Sequence, residues 1–391
     1  MENLLFLVHR IPYPPNKGDK IRSFHFLNYL SQHFNIYLGG FVDDVDDLAY
    51  TNHVKKHCSE IKLINIRPGL RTILSAKGLL TGASLSVPYY DIHSMHQWVA
   101  EVIGKHEIKK AFIFSSVMAQ FVTRHKTLEV TADFVDIDSD KWRQYAEKKS
   151  WPISWVYKRE SEQLLSYEKK IAKCSRQVLF VSKKEANLFK ELSKGADNID
   201  FVNNGVDVKF FTPDDSFMSP YKSNETAIVF TGAMDYWANV DAVIWFVEHV
   251  LPELKAKQGN VMFYIVGSKP STKVRALHAR DNVTVTGRVE DMRPYLQFAD
   301  VIVAPLRIAR GIQNKVLEAM AMGKPVVVTP QAIEGIDANV EGVKVTENPV
   351  QFSETVLDML VMPSYLSDNR AFVEKYFSWD ESGQKLVSFL T

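Results

Sequence analysis

The chain has 391 residues, 46% of them hydrophobic and 24% charged, a globular composition that excludes a disordered or fibrous protein. Lys plus Arg number 47 and Asp plus Glu 46, a net charge of +1, so no global field draws the molecule to nucleic acid and any basic surface must be local. Cys58 and Cys174 form no disulfide framework and lack metal-site spacing. A chain of this length divides by default into two domains.

The N-terminus, "MENLLFLVHR", carries an apolar run too short for a signal-peptide core or a membrane span, and reads as a first buried strand. No other stretch approaches ~18 uninterrupted apolar residues, so a soluble, cytoplasmic protein is expected. After "NLLFLV" (3–8), the first half offers strands at "NIYLGGF" (35–41), "IKLINI" (61–66), "AFIF" (111–114), "DFVDI" (133–137) and "QVLFV" (177–181). The second half offers "AIVFT" (227–231), "VMFYIVG" (261–267), "VTVTG" (283–287), "VIVAP" (301–305), "VVVT" (326–329) and "VKV" (343–345). Runs apolar at nearly every position need cover on both faces. Helical patterns lie between them, so each half reads as a doubly wound, parallel α/β domain. The turn-rich stretch "FVNNGVDVKFFTPDD" (201–215) marks the boundary. This gives an N-terminal domain at 1–205, a C-terminal domain at 206–375, and a terminal helix at 376–391 packing back on the first domain.

Ligands bind at the carboxyl ends of the strands in such sheets, which singles out loops 9–22, 138–150, 232–240, 267–271, 287–291 and 305–315. In "LRIARGIQNKVLEAMAMGKPVVVT" (306–329) the spacing predicts a helix over 312–322. Ile312, Val316, Ala319 and Met320 share its sheet-facing side, and Asn314, Lys315 and Glu318 share another. Gly311 lets the backbone approach a ligand, and the first-turn N–H groups attract an anion. Arg307, Arg310 and Lys315 concentrate positive charge there, which favours a phosphate-type site over a plain Lys315–Glu318 surface pair.

Two further features have two readings each. Asp136 and Asp138, in "FVDIDSDKW", end a first-domain strand and either polarise an acceptor hydroxyl or cap the following helix. Residues 141–159, "KWRQYAEKKSWPISWVYKR", hold six basic residues against one acid, Glu147, with three of the chain's seven tryptophans. That composition suits an anionic bilayer interface, and equally an inter-helix turn whose aromatics pack on the domain. His9 lies near a strand end, and the other histidines have no ligand spacing.

Several stretches together resemble the retaining glycosyltransferases of family 4. In chain order they are "HRIPYPPNKGDKIR", "FVSKKEANLF", "NNGVDVKFFTP", "FTGAMDYWANVDAVIWF", "VTGRVEDMRPYLQFADVIVAPLR", "GIQNKVLEAMAMGKPVVVT" and "FSWDESGQKLVSFL". The nearest branch is that of bacterial exopolysaccharide loci, including exosortase-associated sugar transferases.

The resemblance implies the GT-B architecture, two facing Rossmann-like domains with an interdomain cleft. It implies sugar transfer, with retention, from a nucleotide-sugar donor, UDP- or GDP-linked, to a glycan or polyprenyl-linked acceptor, without a metal cofactor and without nucleic acid. A polyprenyl-linked acceptor would need docking at the inner face of the plasma membrane, of the kind that the first of the two readings of 141–159 provides. Glu318 matches the family's second signature glutamate and is expected to hold the donor ribose. Gly311 and Asn314 are expected to face the sugar and pyrophosphate, with Gly232 in the loop after the first strand of that domain. Gly287, Arg288 and Val289 are expected beside the base, and Gly18 near the diphosphate. Asp138, Arg310 and Glu318 are the expected catalytic residues. The family's first signature glutamate is replaced by Arg310. A family cation pair after the first strand of the second domain is replaced by Ala233 and Asn239, and Arg307, Arg310 and Lys315 are expected to supply the missing charge. Those departures keep two other readings open, a silent binding subunit and a sugar-nucleotide epimerase. A dehydrogenase is disfavoured because "FLVHRIPYPPNKG" lacks a glycine fingerprint.

Overall fold

The computed structural model describes every residue except 16–17, 76–77, 79–81, 148, 310 and 337. The chain forms two compact units, Met1–Asn204 with Ser382–Thr391, and Gly205–Glu381.

The first unit is built on seven strands: β1 (Glu2–Val8), β2 (Phe34–Val42), β3 (Glu60–Asn65), β4 (Lys110–Phe114), β5 (Glu129–Val135), β6 (Gln177–Phe180) and β7 (Ile199–Phe201). All pair in parallel, in the order β3-β2-β1-β4-β5-β6-β7. Central β1 is apolar at Leu4, Leu5, Phe6, Leu7 and Val8, all of them fully buried, because helices cover both faces of the sheet. Two sequence expectations change. The run expected at 133–137 begins earlier, at Glu129, and ends at Val135, where the register shifts and φ turns to +69°. The polar Glu129 and Thr131 hid its start. Strand β7 escaped notice because it is three residues long and interrupted by Asp200.

Helix Trp379–Leu390 closes the chain, and from Ser382 onward it clusters with the first unit. Ser382 Oγ donates to the Asn203 carbonyl at 2.9 Å, and the Lys385 ammonium sits 3.8 Å from the centre of the Phe201 ring. Gly383 lies so close to Tyr29 that a Cβ there would collide with its ring.

The second unit repeats the plan with β8 (Thr226–Thr231), β9 (Val261–Val266), β10 (Val283–Gly287), β11 (Val301–Ala304), β12 (Val326–Val328) and β13 (Val343–Val345), all parallel, in the order β10-β9-β8-β11-β12-β13. In each sheet the strand order reverses beside the first strand, between β1 and β4 and between β8 and β11. A reversal of that kind opens a crevice at the carboxyl ends of the strands.

The helix after β11 is shorter than its sequence pattern. It spans Asn314–Ala321, with Gln313 as an extended N-cap. Val316, Ala319 and Met320 are fully buried, whereas Ile312 packs on the same core from the preceding loop. The chain cannot be helical at Gly311, whose φ is +64°, so the i, i+4 spacing of Ile312 and Val316 runs across a loop–helix junction. Among the described residues no helix is long and apolar enough to cross a membrane.

Candidate functional site

Three glycines shape the strand ends of the second unit. Gly232 follows β8 with φ +153°, Gly267 follows β9 with φ +157°, and Gly287 ends β10 with φ +71°. Gly232 N–H donates to the Val266 carbonyl at 3.0 Å, and Gly267 N–H to the Gly287 carbonyl at 3.2 Å. A Cβ on Gly267 would strike the Gly232 carbonyl. Glycine is therefore required for these loops to run side by side.

The loop after β8 leads into helix Trp237–His249, and Asn239 in its first turn ties two elements together. Its Nδ2 donates to the Ala233 carbonyl at 2.9 Å, while its Oδ1 accepts from Lys315 Nζ at 2.5 Å. Lys315 reaches across from helix Asn314–Ala321, and its ammonium lies 4.1 Å from the centre of the Phe230 ring. A Cβ on Gly232 would lie only 2.9 Å from that ammonium, so the charge sits directly under the backbone at the end of β8. Burial draws the Lys315 ammonium down to about 7, with Glu318 pulling the other way.

Glu318, almost one turn along the same helix, is half-buried and its carboxylate makes no hydrogen bond or ion pair with the described residues. Burial pushes it up to about 7 despite the opposing field of Lys315. The surface Lys315–Glu318 pair is thus replaced by a Lys315–Asn239 hydrogen bond beside an unpartnered acid. A buried ammonium held by a neutral amide, and a carboxylate with no partner among the described residues, so close to a strand-end crevice form a candidate ligand site.

The remaining sequence candidates divide. Asn314 opens the helix, and Gly311 precedes it. Arg307 does not project its charge into the loop; Nε and Nη2 pair with Asp241 at 2.9 and 2.5 Å, so a carboxylate on the neighbouring helix already neutralises it. Arg310 lies outside the described residues. Arg288 is exposed, and Val289 packs on the core. Sequence reasoning missed Asn239 as a partner for Lys315 and Asp241 as a partner for Arg307, since no local pattern connects residues 66 and 76 positions apart.

At the strand ends of the first unit, His9 Nε2 lies 3.3 Å from Asp19 Oδ2, and Arg10 Nη1 is 2.5 Å from the same oxygen. Burial opposes ionisation of Asp19, but His9 and Arg10 outweigh it and hold the carboxyl well below the usual carboxylate range. Arg10 also pairs with Asp43 at 2.7 Å. Gly18 opens helix Gly18–Leu30, exposed and with open space around it. Asp138 is the first residue of helix Asp138–Glu147, and Lys141 bridges it to Asp136, at 3.1 and 2.9 Å. Ser115 and Val135, at the ends of β4 and β5, hold φ values of +79° and +69°. Left-handed backbone at non-glycine residues is costly and collects at functional edges.

Two doubly wound sheets of this order define the GT-B fold, and solved structures share it over the full chain. HepE from Anabaena in complex with UDP superposes with a TM-score of 0.68 at 16% identity, over 99% of each chain. Sucrose-phosphate synthase from Thermosynechococcus elongatus gives 0.68 at 16% identity, over 99% of this chain and 98% of that one. A glycosyltransferase from Rickettsia africae gives 0.65 at 14%, over 100% and 98%. HepE is also known with UDP and glucose, and with UDP-glucose. Residues 225–361, which contain the Lys315–Glu318 site, match the family described as glycosyl transferases group 1. No curated protein sequence matches the chain. The fold is thus the one shared with these GT-B structures, and the family match falls on the unit that holds the Lys315–Glu318 site.

Proposed function

We propose that the protein transfers a sugar from a UDP-linked donor, with retention of anomeric configuration, to a glycan or polyprenyl-linked saccharide during synthesis of an exopolysaccharide or other surface glycan. The observation that carries the reading is Glu318, a half-buried carboxylate without a hydrogen-bond or ion-pair partner among the described residues, and in this reading it accepts hydrogen bonds from a ribose diol. The choice of UDP over GDP draws on the UDP and UDP-glucose complexes of HepE.

In this reading the backbone at Gly287, Arg288 and Val289 faces the base, and Gly232, Gly311 and the first N–H groups at Asn314 face the diphosphate. As the glycosidic bond breaks, negative charge grows on the leaving diphosphate. Lys315 and the helix N–H groups are preorganised to stabilise it, and the reaction draws its positive charge from the protein rather than from a bound metal. Arg310, by its sequence position, is assigned additional positive charge in this reading. On the first unit, Asp138 orients the acceptor hydroxyl, its carboxylate fixed by Lys141.

Calorimetric titration of UDP, GDP and ADP into wild type, Glu318→Ala and Arg310→Ala tests the site. UDP binding weakened by both substitutions supports the reading. Failure of every nucleotide to bind wild type overturns it in favour of a silent binding subunit. Retention is tested by the anomeric configuration of the product by NMR; an isomerised nucleotide sugar in place of a new glycosidic bond identifies an epimerase instead.

A further inference from the structure

Helix Asp138–Glu147 and helix Ile153–Cys174 form a hairpin on the first unit. Its base is well anchored. Ser139 Oγ donates to the buried Glu168 at 2.5 Å, and the Trp142 ring packs 5.0 Å from that of Tyr157. The tip is different. Trp151 is 81% exposed, Trp155 56%, Tyr145 51% and Ile153 50%. The aromatics of this segment therefore split into an inner pair that packs on the protein and an outer group that faces water.

The charges split in the same way. Lys141 is engaged by Asp136 and Asp138, and Arg143 by Asp140 and Glu147. Arg159 is turned inward onto the carbonyls of Ala83 and Gly78. Lys149 and Lys158 are exposed and have no acidic partner among the described residues. Glu147, the only acid between 141 and 159, is consumed by Arg143. What the hairpin presents outward is large apolar rings beside unneutralised ammonium groups.

We infer that this tip docks the protein on an anionic lipid bilayer, with Trp151, Ile153 and Trp155 entering the headgroup–acyl boundary and Lys149 and Lys158 on lipid phosphates. Indole rings with adjacent lysines match that boundary chemically, since the ring takes up apolar area and the ammonium meets negative charge. A second copy of the chain fits less well, because a two-fold contact between tips sets their lysines against each other. The inference rests on the hairpin alone and is independent of the donor-site reading. It also gives a lipid-linked acceptor a surface from which to reach the enzyme.

Flotation of the full-length protein with vesicles decides it. Wild type is expected to float with phosphatidylglycerol–phosphatidylcholine vesicles, less so in high salt, and not with phosphatidylcholine alone. Trp151→Ser with Trp155→Ser is expected to lower the bound fraction by about tenfold or more, and Lys149→Glu with Lys158→Glu to remove the preference for phosphatidylglycerol. Thermal unfolding of each variant, and its UDP affinity if wild type binds UDP, are expected to match wild type. Failure of wild type to float with anionic vesicles, or flotation unchanged in the double-tryptophan variant, overturns the inference. So does a dimer in sedimentation that this variant loses, which assigns the tip to self-association. Flotation without any nucleotide binding leaves the docking surface standing and removes the donor reading.

Discussion

Lys315 and Asn239 meet at 2.5 Å between two helices that start at neighbouring strand ends, with the ammonium over the Phe230 ring and under Gly232. Asn239 occupies a place where the resemblance leads one to expect a cation. Lys315 brings the charge to that place from the other helix, and Asn239 holds it there. In the proposed mechanism a diphosphate arriving at Gly232 finds an ammonium already positioned.

The first prediction concerns this pair. Lys315→Met removes a charged hydrogen-bond donor worth about 1.5–3 kcal/mol, so UDP affinity is expected to fall by roughly ten- to hundredfold while uridine affinity is unchanged. Asn239→Ala is expected to give a smaller loss of the same kind. Exchange of the two roles, Asn239→Lys with Lys315→Val, is expected to recover most of the affinity. Calorimetry with UDP and uridine reads all three; equal losses for both ligands count against a diphosphate role.

The second concerns Glu318. If its carboxylate accepts from the ribose diol, wild type prefers UDP over 2′-deoxy-UDP, and Glu318→Ala erases that preference. A lost neutral-to-charged hydrogen bond of about 1.5–3 kcal/mol sets the scale. A preference that survives the substitution places the ribose elsewhere.

The third is a pH dependence. Burial pushes Glu168 from its ordinary 4.5 up to about 8, against the hydrogen bonds it accepts from Ser139. The folded state therefore holds one more proton than the unfolded state between those two values, and stability falls as pH rises through that window. The fall attributable to this group is on the order of 5 kcal/mol. Glu168→Gln keeps a neutral side chain at every pH, so urea unfolding of wild type and variant between pH 5 and about 8 is expected to converge at the acid end and favour the variant at the basic end.

The fourth concerns a fully buried ion pair of the first unit. Arg22 Nε donates to Asp133 Oδ2 at 2.8 Å, both side chains are fully buried, and Arg22 Nη1 reaches Asn204 at 3.0 Å. Arg22→Met strands an acid in the core and is expected to cost about 3–5 kcal/mol. Arg22→Met with Asp133→Leu is expected to recover much of it, because an apolar pair carries no desolvation penalty. The midpoint of urea unfolding measures both.

The strand plan was legible because parallel strands covered on both faces are written as continuous apolar runs, and "NLLFLV" or "AIVFT" has no other economical reading. Strand β5 was placed late because Glu129 and Thr131 broke its run, and β7 was missed because three residues around Asp200 carry no period. The helix at Asn314 was predicted two residues early, since Ile312 has the right spacing from the wrong conformation.

Residue type and local spacing determined the α/β class, the alternation of strand and helix, and the concentration of Lys315 and Glu318 on one short helix. The pairing of those charges was decided by tertiary structure alone. Lys315 bonds Asn239, and Arg307 is spent on Asp241, because the strand-order reversal brings the ends of β8 and β11 together. Which indole packs and which meets water, Trp142 or Trp151, was likewise settled by how one hairpin seats on its domain. Local sequence fixes what a side chain can do; partnership across more than sixty residues depends on which strand ends lie side by side, and no local periodicity encodes that.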